Sequence, residues 1–230
     1  MYWILKWVLL GPAVRWLARP VVVGTLPRGA FVLAANHQTE IDSLVLCAAL
    51  PRRLTFVAKS EYFRRGGAGA RFYRRLCRWT GQIPIDRGGR GGSDTALEAA
   101  RGVLARGGVW AIYPEGTRSP DGRLWRGRTG VMRVALPSGR PVVPVALVGT
   151  RSIDRPGTHQ WSRAHVEIRI GEPLDLTRWS TTPDDPAAWR EATDELMAAI
   201  RRLSGQEYVD RHPSERERAE RDAGRSRSRD

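Results

Sequence analysis

Cysteine is scarce in this chain of 230 residues, which contains Cys47 and Cys77 and no CxxC pair. A disulfide framework or a structural zinc site requires closely spaced thiols, so the sequence predicts neither of them. Reduced thiols are typical of the cytoplasmic side of a membrane. Histidine is also rare, and His159, His165 and His212 lack the spacing of metal ligands, so we expect no metal site.

The sequence also lacks an uninterrupted hydrophobic segment of the length that a transmembrane helix needs. Residues 1–19 are rich in Trp and Leu, but Lys6, the Gly11-Pro12 pair and Arg15 interrupt them. A helix of about 18 residues would reach about 27 Å, which is marginal against a hydrocarbon core of about 30 Å. We therefore expect a helix in the membrane interface, with packing on the protein's own core as the alternative.

Acidic residues are too few to balance the basic ones, because 38 Lys and Arg face 24 Asp and Glu, which gives a net charge of +14. Arginines and acidic residues balance in residues 206–230, so the whole excess lies in residues 1–205. A basic folded part indicates a polyanionic partner, which is nucleic acid, an anionic membrane or a phosphorylated substrate. With the N-terminal segment, it predicts peripheral or monotopic attachment to the cytoplasmic face of the plasma membrane.

Short runs rich in Val and Ile alternate with longer helical patterns, which is typical of an α/β domain. The predicted helices include a long basic segment, residues 60–79, and one that Ser93 is predicted to cap. We predict one domain over residues 20–205 and a disordered tail over residues 206–230, where mixed charge leaves few apolar side chains. The predicted strands are FVLAA (31–35), LTFVA (54–58), QIPID (82–86), VWAIYP (109–114), VVPVALVG (142–149) and HVEIRI (165–170).

The stretch NHQTEID (36–42) places His37 and Asp42 five positions apart, between a predicted strand and a predicted helix. Open α/β sheets bind ligands at the carboxyl ends of their strands, where this loop would lie. A loop that curls back onto its helix would let Asp42 accept the imidazole N–H, and the other nitrogen could then act as a general base. Alternatively, Asp42 is a helix N-cap and His37 an ordinary loop residue.

Two further strand ends carry charged and polar groups. YPEGTRS (113–119) combines Gly116, which lets a ligand approach the backbone, with Arg118, whose guanidinium can bind phosphate through two parallel donors. GQIPIDR (81–87) ends in the pair Asp86-Arg87. Each motif alone is also compatible with a surface turn or a surface ion pair.

These blocks occur in one order with the VVPVAL strand, and together they resemble the lysophosphatidate acyltransferase (1-acyl-sn-glycerol-3-phosphate acyltransferase) family of glycerolipid acyltransferases. The shared blocks are NHxxxxD, GxxxIDR, EGTR and a VPV strand, between Ala30 and Gly149. Pro84 stands where the family usually has an aromatic residue, a difference that concerns the shape of the acceptor pocket. The resemblance implies a single α/β domain with a central mixed, largely parallel sheet flanked by helices.

The resemblance also implies a reaction, the transfer of a fatty acyl group from acyl-CoA or acyl carrier protein to the free hydroxyl of lysophosphatidate. It implies that His37 is the general base and that Asp42 orients it. No cofactor is implied, because the acyl thioester is a co-substrate. The residues implied to hold the phosphate and glycerol of the acceptor are Arg87, Glu115, Gly116, Thr117 and Arg118.

Other reactions and other classes of protein remain alternatives at this stage. The chain has no G-x-S-x-G elbow, and Cys47 and Cys77 are interpreted as packed thiols, so direct attack by the acceptor hydroxyl is favoured over an acyl-enzyme. Glycerol 3-phosphate, another lysolipid or another lipid alcohol are alternative acceptors. A non-catalytic basic protein that binds membranes or nucleic acid is the alternative of a different class, although no nucleic-acid-binding module is recognisable.

Overall fold

The computed structural model describes residues 3, 6, 8, 10–59, 82–85, 92–154 and 161–223. These residues form a central sheet with helices packed on both faces, which is the predicted α/β architecture. Cys77, the Asp86-Arg87 pair, His159 and the helix predicted for the basic segment 60–79 lie outside the described residues.

The secondary structure alternates between strands and helices along the chain. The strands are β1 (Pro20–Val23), β2 (Phe31–Ala35), β3 (Leu54–Lys59), β4 (Ile83–Ile85), β5 (Val109–Ile112), β6 (Leu124–Trp125), β7 (Val142–Val148), β8 (Val166–Ile170) and β9 (Tyr208–Val209). The α-helices are α1 (Leu10–Ala18), α2 (Asp42–Ala49), α3 (Gly92–Ala105), α4 (Met132–Ser138), α5 (Thr150–Ile153), α6 (Pro186–Ser204) and α7 (Glu215–Ala223). Short 3-10 turns lie at Thr129–Val131 and Thr177–Trp179.

Seven of these strands pair in the order β1-β8-β7-β2-β5-β3-β4. Neighbouring strands run parallel except β7 and β8, which are antiparallel. The predicted mixed, largely parallel sheet is therefore confirmed. Because β2, β5 and β7 are parallel, their carboxyl ends meet at one edge of the sheet, which is where such sheets bind ligands.

The central strand β2 is buried on both faces, and none of its five residues is exposed to solvent. Phe31, Leu33 and Ala35 pack in the cluster that includes α1 and α2. Val32 and Ala34 pack in the cluster that includes α3, α4 and α6. Successive side chains of a strand point to opposite faces, so a strand covered on both sides is a continuous apolar run, as FVLAA is.

The structure confirms the six predicted strands within the described residues and adds β1, β6 and β9, which were not predicted from the sequence. β1 is an edge strand paired with β8, and Val21, Val22 and Val23 are exposed. The run PVVV shows no alternation of apolar and polar residues, so it lacks the pattern of a half-buried strand. The helix with the predicted cap at Ser93 begins one residue earlier, at Gly92.

The predicted disordered tail is wrong for residues 206–223. β9 pairs in parallel with β6, and α7 follows it. The Gln206 side chain bonds to Asn36 (2.7 Å) and donates to the carbonyl oxygen of Gly122 (2.6 Å). Composition missed this segment because it builds no core of its own and is instead held by backbone and amide bonds to parts of the chain far away in sequence. Residues 224–230 lie outside the described part.

The N-terminal helix α1 (Leu10–Ala18) packs on the core of the domain, which was the alternative to a helix in the membrane interface. Its Val14 and Ala18 are buried in the core, and Arg15 donates to the Ala48 carbonyl oxygen (2.7 Å). The ammonium group of Lys6 donates to the carbonyl oxygen of Leu50. Both cations thus meet the carbonyl end of α2, which carries partial negative charge.

The outer face of α1 remains in solvent, where Trp16 is 61 % exposed. No helix within the described residues combines the length and the hydropathy required to cross a membrane.

Candidate active site

His37 and Asp42 form a direct contact in the loop between β2 and α2. The His37 Nδ1 atom lies 2.9 Å from Asp42 Oδ2. The fully buried Asp42 also accepts the backbone N–H groups of Gln38 (2.6 Å) and Thr39 (2.9 Å) and the Thr39 hydroxyl (3.0 Å). The N-cap of α2 is Ile41, which makes no side-chain cap bond. Asp42 is therefore not an N-cap, since its carboxylate turns back to hold the loop.

This geometry assigns the tautomer of the imidazole. A carboxylate only accepts hydrogen bonds, so the contact with Asp42 places the proton of His37 on Nδ1. The Nε2 atom then carries the free lone pair, and it has no hydrogen-bond partner among the described residues. The side chain of His37 is 18 % exposed, so a small molecule in solvent can reach it. An imidazole held in this way has one ring nitrogen in a fixed direction that is able to accept a proton.

Glu115 fixes the backbone of His37 from the neighbouring loop. One oxygen of its carboxyl group accepts the His37 N–H (2.8 Å), and the other accepts the Trp125 N–H (3.1 Å). The side chain is fully buried, and this burial raises the pKa of Glu115 to about 8 against the effect of the two N–H donors. Glu115 therefore braces the His37 loop, which differs from the expectation that it contacts the acceptor.

Tyr113 and Ser119, at the two ends of the same loop, complete the support of His37. The Tyr113 ring stacks on the imidazole with a centroid distance of 3.8 Å and an interplanar angle of 10°. The Tyr113 hydroxyl bonds to Ser43 Oγ (2.9 Å), and burial raises the pKa of Tyr113 well above its usual value. The Ser119 N–H donates to the His37 carbonyl oxygen (2.7 Å).

Asn36 anchors the start of the His37 loop to the next strand of the sheet. Its side-chain amide donates to the Leu147 carbonyl oxygen (3.0 Å) and accepts the Leu147 N–H (2.7 Å). The Asn36 amide thereby makes the two hydrogen bonds to Leu147 that the backbone of a neighbouring strand would make, at the point where β2 ends. The same amide nitrogen donates to Gln206 (2.7 Å), which links the loop to the C-terminal segment.

The EGTR block forms a tight turn along the same edge of the sheet. Gly116 has φ of 72°, a left-handed conformation that other residues adopt only with strain. Thr117 and Arg118 follow it, both partly buried. The Arg118 guanidinium forms an ion pair with Glu40 from the His37 loop (2.6 Å).

The structure thus brings six of the seven predicted site residues to one edge of the sheet, and Arg87 lies outside the described residues. The sequence analysis did not assign roles to Asn36, Tyr113 or Gln206. Asn36 and Tyr113 stand inside the two quoted motifs, directly beside His37 and near Glu115, so their positions were a usable signal. Gln206 had no such signal, because it begins the segment predicted to be disordered.

Together, a largely parallel α/β sheet and a histidine oriented by a buried aspartate at its carboxyl edge place the chain among α/β enzymes that act on ligands at this edge. A family model described as acyltransferase matches residues 19–148. The chain belongs to this acyltransferase family.

Named relatives and a solved structure agree with this assignment. The chain is 27 % identical over 181 residues to 1-acyl-sn-glycerol-3-phosphate acyltransferase alpha of Homo sapiens, which covers 77 % of this chain and 61 % of the human protein. It is 28 % identical over 155 residues to the 1-acyl-sn-glycerol-3-phosphate acyltransferase of Limnanthes alba, which covers 67 % of this chain and 53 % of that protein. The chain therefore spans little more than half of the length of these relatives.

The crystal structure of the 1-acyl-sn-glycerophosphate (LPA) acyltransferase PlsC from Thermotoga maritima superimposes with a TM-score of 0.63 at 27 % sequence identity. The match covers 84 % of this chain and 75 % of the PlsC chain. It extends the agreement from the sequence blocks to the arrangement of the whole sheet.

The raised pKa of Glu115 predicts a pH-dependent stability. In the unfolded chain this group ionises near its ordinary pKa of 4.5, whereas in the folded protein it retains its proton until about pH 8. The stabilising contribution of protonated Glu115 to the free energy of unfolding is therefore fully present below pH 4.5 and is lost as the pH rises through 8. The free energy of unfolding should fall between about pH 5 and about pH 8, with a slope of up to about 1.4 kcal/mol per pH unit from this group.

Urea unfolding of wild type, Glu115→Gln and the exposed control Glu98→Gln across this pH range measures the effect. Glu115→Gln should remove the slope and also lower stability, because an amide nitrogen then faces one of the two N–H donors. Glu98→Gln should retain the wild-type slope. Equal slopes in all three proteins would contradict the assignment to Glu115.

Proposed function

We propose that the protein transfers a fatty acyl group from a thioester, either acyl-CoA or acyl carrier protein, to the free hydroxyl of lysophosphatidate, giving phosphatidate. The observation that carries the proposal is the His37–Asp42 pair, which leaves Nε2 as an oriented base at the carboxyl edge of the sheet. The names of the relatives and of the structural match support lysophosphatidate as the acceptor.

The proposed chemistry starts with His37. Its Nε2 accepts the proton of the acceptor hydroxyl while the oxygen attacks the thioester carbonyl carbon. Asp42 stabilises the resulting imidazolium through the bond to Nδ1, and the stacked ring of Tyr113 adds a favourable cation–π contact. The tetrahedral intermediate then expels the thiolate as the carbon–sulfur bond breaks. The thiolate takes the proton from Nε2, which leaves an ester, a free thiol and a neutral histidine.

Direct attack by the acceptor agrees with the state of Cys47. Its thiol is buried, and this burial raises its pKa to about 12. The thiolate is the nucleophilic form of cysteine, so Cys47 is a poor candidate for an acyl-enzyme.

The acceptor's phosphate is proposed to bind along the turn that follows β5. The backbone of the turn is exposed at Gly116, and Arg118 supplies a guanidinium at the same edge as His37. The ion pair with the half-exposed Glu40 holds Arg118 at this edge of the sheet. Arg87 is proposed as a second phosphate ligand from the sequence motif alone.

Attachment to the cytoplasmic face of a membrane is proposed from the surface around α1. Trp3, Val8 and Trp16 are exposed there, and the Arg163 guanidinium lies 4.4 Å from the Trp16 ring centroid. Trp161 is also exposed, two residues from Arg163. Aromatic side chains beside a cation suit the headgroup region of an anionic membrane.

Replacing the proposed base tests the mechanism. His37→Ala should lower kcat by about 10²–10⁴, the range that a positioned general base contributes. The control is His165→Ala, because His165 is exposed at the start of β8 and should be dispensable. Thermal unfolding checks that both variants are folded. Turnover near the wild-type rate in folded His37→Ala would overturn the mechanism.

A panel of acceptors tests the substrate class. Wild-type protein and one labelled acyl-CoA are combined with lysophosphatidate, glycerol 3-phosphate, a second lysophospholipid and monoacylglycerol. The highest kcat/KM is expected for lysophosphatidate, the acceptor that the names of the relatives indicate, and monoacylglycerol should be used poorly because it offers no phosphate to the arginines of the site. Equal use of monoacylglycerol would reassign the acceptor to neutral lipid alcohols.

Sedimentation with liposomes tests the membrane surface. Trp16→Ser and Trp161→Ser should each weaken binding to anionic vesicles by about tenfold, the effect of withdrawing one large apolar side chain from the interface. Binding should also weaken with salt without being abolished, because the apolar contacts persist. Unchanged sedimentation of the double variant would rule out this surface.

A further inference from the structure

Arg128 lies against the EGTR turn and has no part in the roles assigned so far. Its backbone N–H donates to the Pro114 carbonyl oxygen (2.8 Å), which fixes it beside the turn. Its side chain crosses Gly116, since a β-carbon at that position would lie 2.8 Å from both Cδ and Nε of Arg128. The missing side chain at Gly116 therefore gives Arg128 room to lie along the loop that holds His37.

No carboxylate among the described residues neutralises the charge of Arg128. Its side chain is exposed and forms no ion pair in the part of the chain that the structure describes. Other arginines of the same region are paired with carboxylates. These pairs are Arg118–Glu40 (2.6 Å), Arg123–Asp121 (2.7 Å), Arg126–Asp210 (3.6 Å) and Arg211–Glu217 (2.7 Å).

Two cationic side chains near Arg128, those of Arg126 and Arg190, each have a carboxylate partner of their own. Burial lowers the pKa of His212, and the charges of Arg128, Arg126 and Arg190 lower it further, so these cations lie close to one another. Arg190 is neutralised by Asp194, with one contact at 3.0 Å. A positive potential therefore remains at Arg128, and a bound anion would relieve the repulsion.

We propose that Arg128 is a phosphate-binding residue of the active site, with Cδ and Nε of its side chain packed against Gly116. This inference rests on the proposed acyl transfer, in which the acceptor and acyl-CoA both carry phosphate. The turn supports it, because Pro114 holds Arg128 and the adjacent Glu115 holds His37, so the guanidinium and the base are attached to one short segment. A planar guanidinium binds phosphate through two parallel N–H donors.

Binding measurements on Arg128→Gln and Arg128→Lys test the proposal. The matched control is Arg140→Gln, which removes one exposed charge just before β7, at the opposite edge of the sheet. Calorimetric titration with short-chain lysophosphatidate and with CoA gives the affinity for each phosphate source without turnover. Arg128→Gln should weaken one of the two ligands by about tenfold or more, because a charge-assisted hydrogen bond is lost.

The pattern of the effects identifies the source of the phosphate. A loss confined to lysophosphatidate assigns Arg128 to the acceptor, and a loss confined to CoA assigns it to the donor. Arg128→Lys should lie between wild type and Arg128→Gln, since it keeps the charge but loses the paired donors. The Arg140→Gln control should bind like wild type.

Two results distinguish failure of this inference from failure of the proposed function. Unchanged affinity of Arg128→Gln for both ligands, with wild-type acyl transfer intact, overturns the role of Arg128 alone. Arg128-dependent binding without acyl transfer to any acceptor overturns the proposed function and leaves the phosphate site standing. Thermal unfolding of each variant confirms that the comparison is made between folded proteins.

Discussion

The buried carboxyl group of Glu115 is the interaction on which the site depends. It bonds to the N–H of His37 on one loop and to the N–H of Trp125 at the start of another segment. The His37 N–H lies in a loop beyond the end of β2, and the Trp125 N–H is not used in the pairing of β6 with β9, so Glu115 supplies the acceptor for both groups. Hydrogen bonds are electrostatically strong in a buried environment, and a buried donor left without an acceptor costs stability.

As a result, His37 is held in one position, and one of its ring nitrogens is left without a contact. The N–H, the carbonyl oxygen, the ring face and Nδ1 of His37 all have partners, supplied by Glu115, Ser119, Tyr113 and Asp42. Among the described residues, Nε2 is the polar atom of His37 without a partner, and the proposed reaction uses it. Preorganisation of this kind avoids reorientation during the reaction, and it explains why the site lies on loops held by a rigid sheet.

The arginines at this edge of the sheet differ in whether they have a carboxylate partner. Arg118 is held by Glu40, whereas Arg128 has no carboxylate among the described residues. Net charge alone, at +14, does not make this distinction, because it counts paired and unpaired cations equally. A positive charge available to a phosphate depends on which acidic side chains the fold brings near it.

The sequence by itself determined the elements whose signals are local. The apolar run FVLAA predicted the buried strand β2. NHQTEID was compatible with a contact between His37 and Asp42, and its resemblance to the NHxxxxD block of the family predicted that pair. Tertiary structure alone decided the support of that pair, because the bonds from Asn36 to Leu147 and to Gln206 join residues more than 100 positions apart. It also ordered residues 206–223, whose charged composition predicted disorder. Their structure depends on backbone pairing with β6, and such pairing leaves no pattern in the sequence of the segment itself.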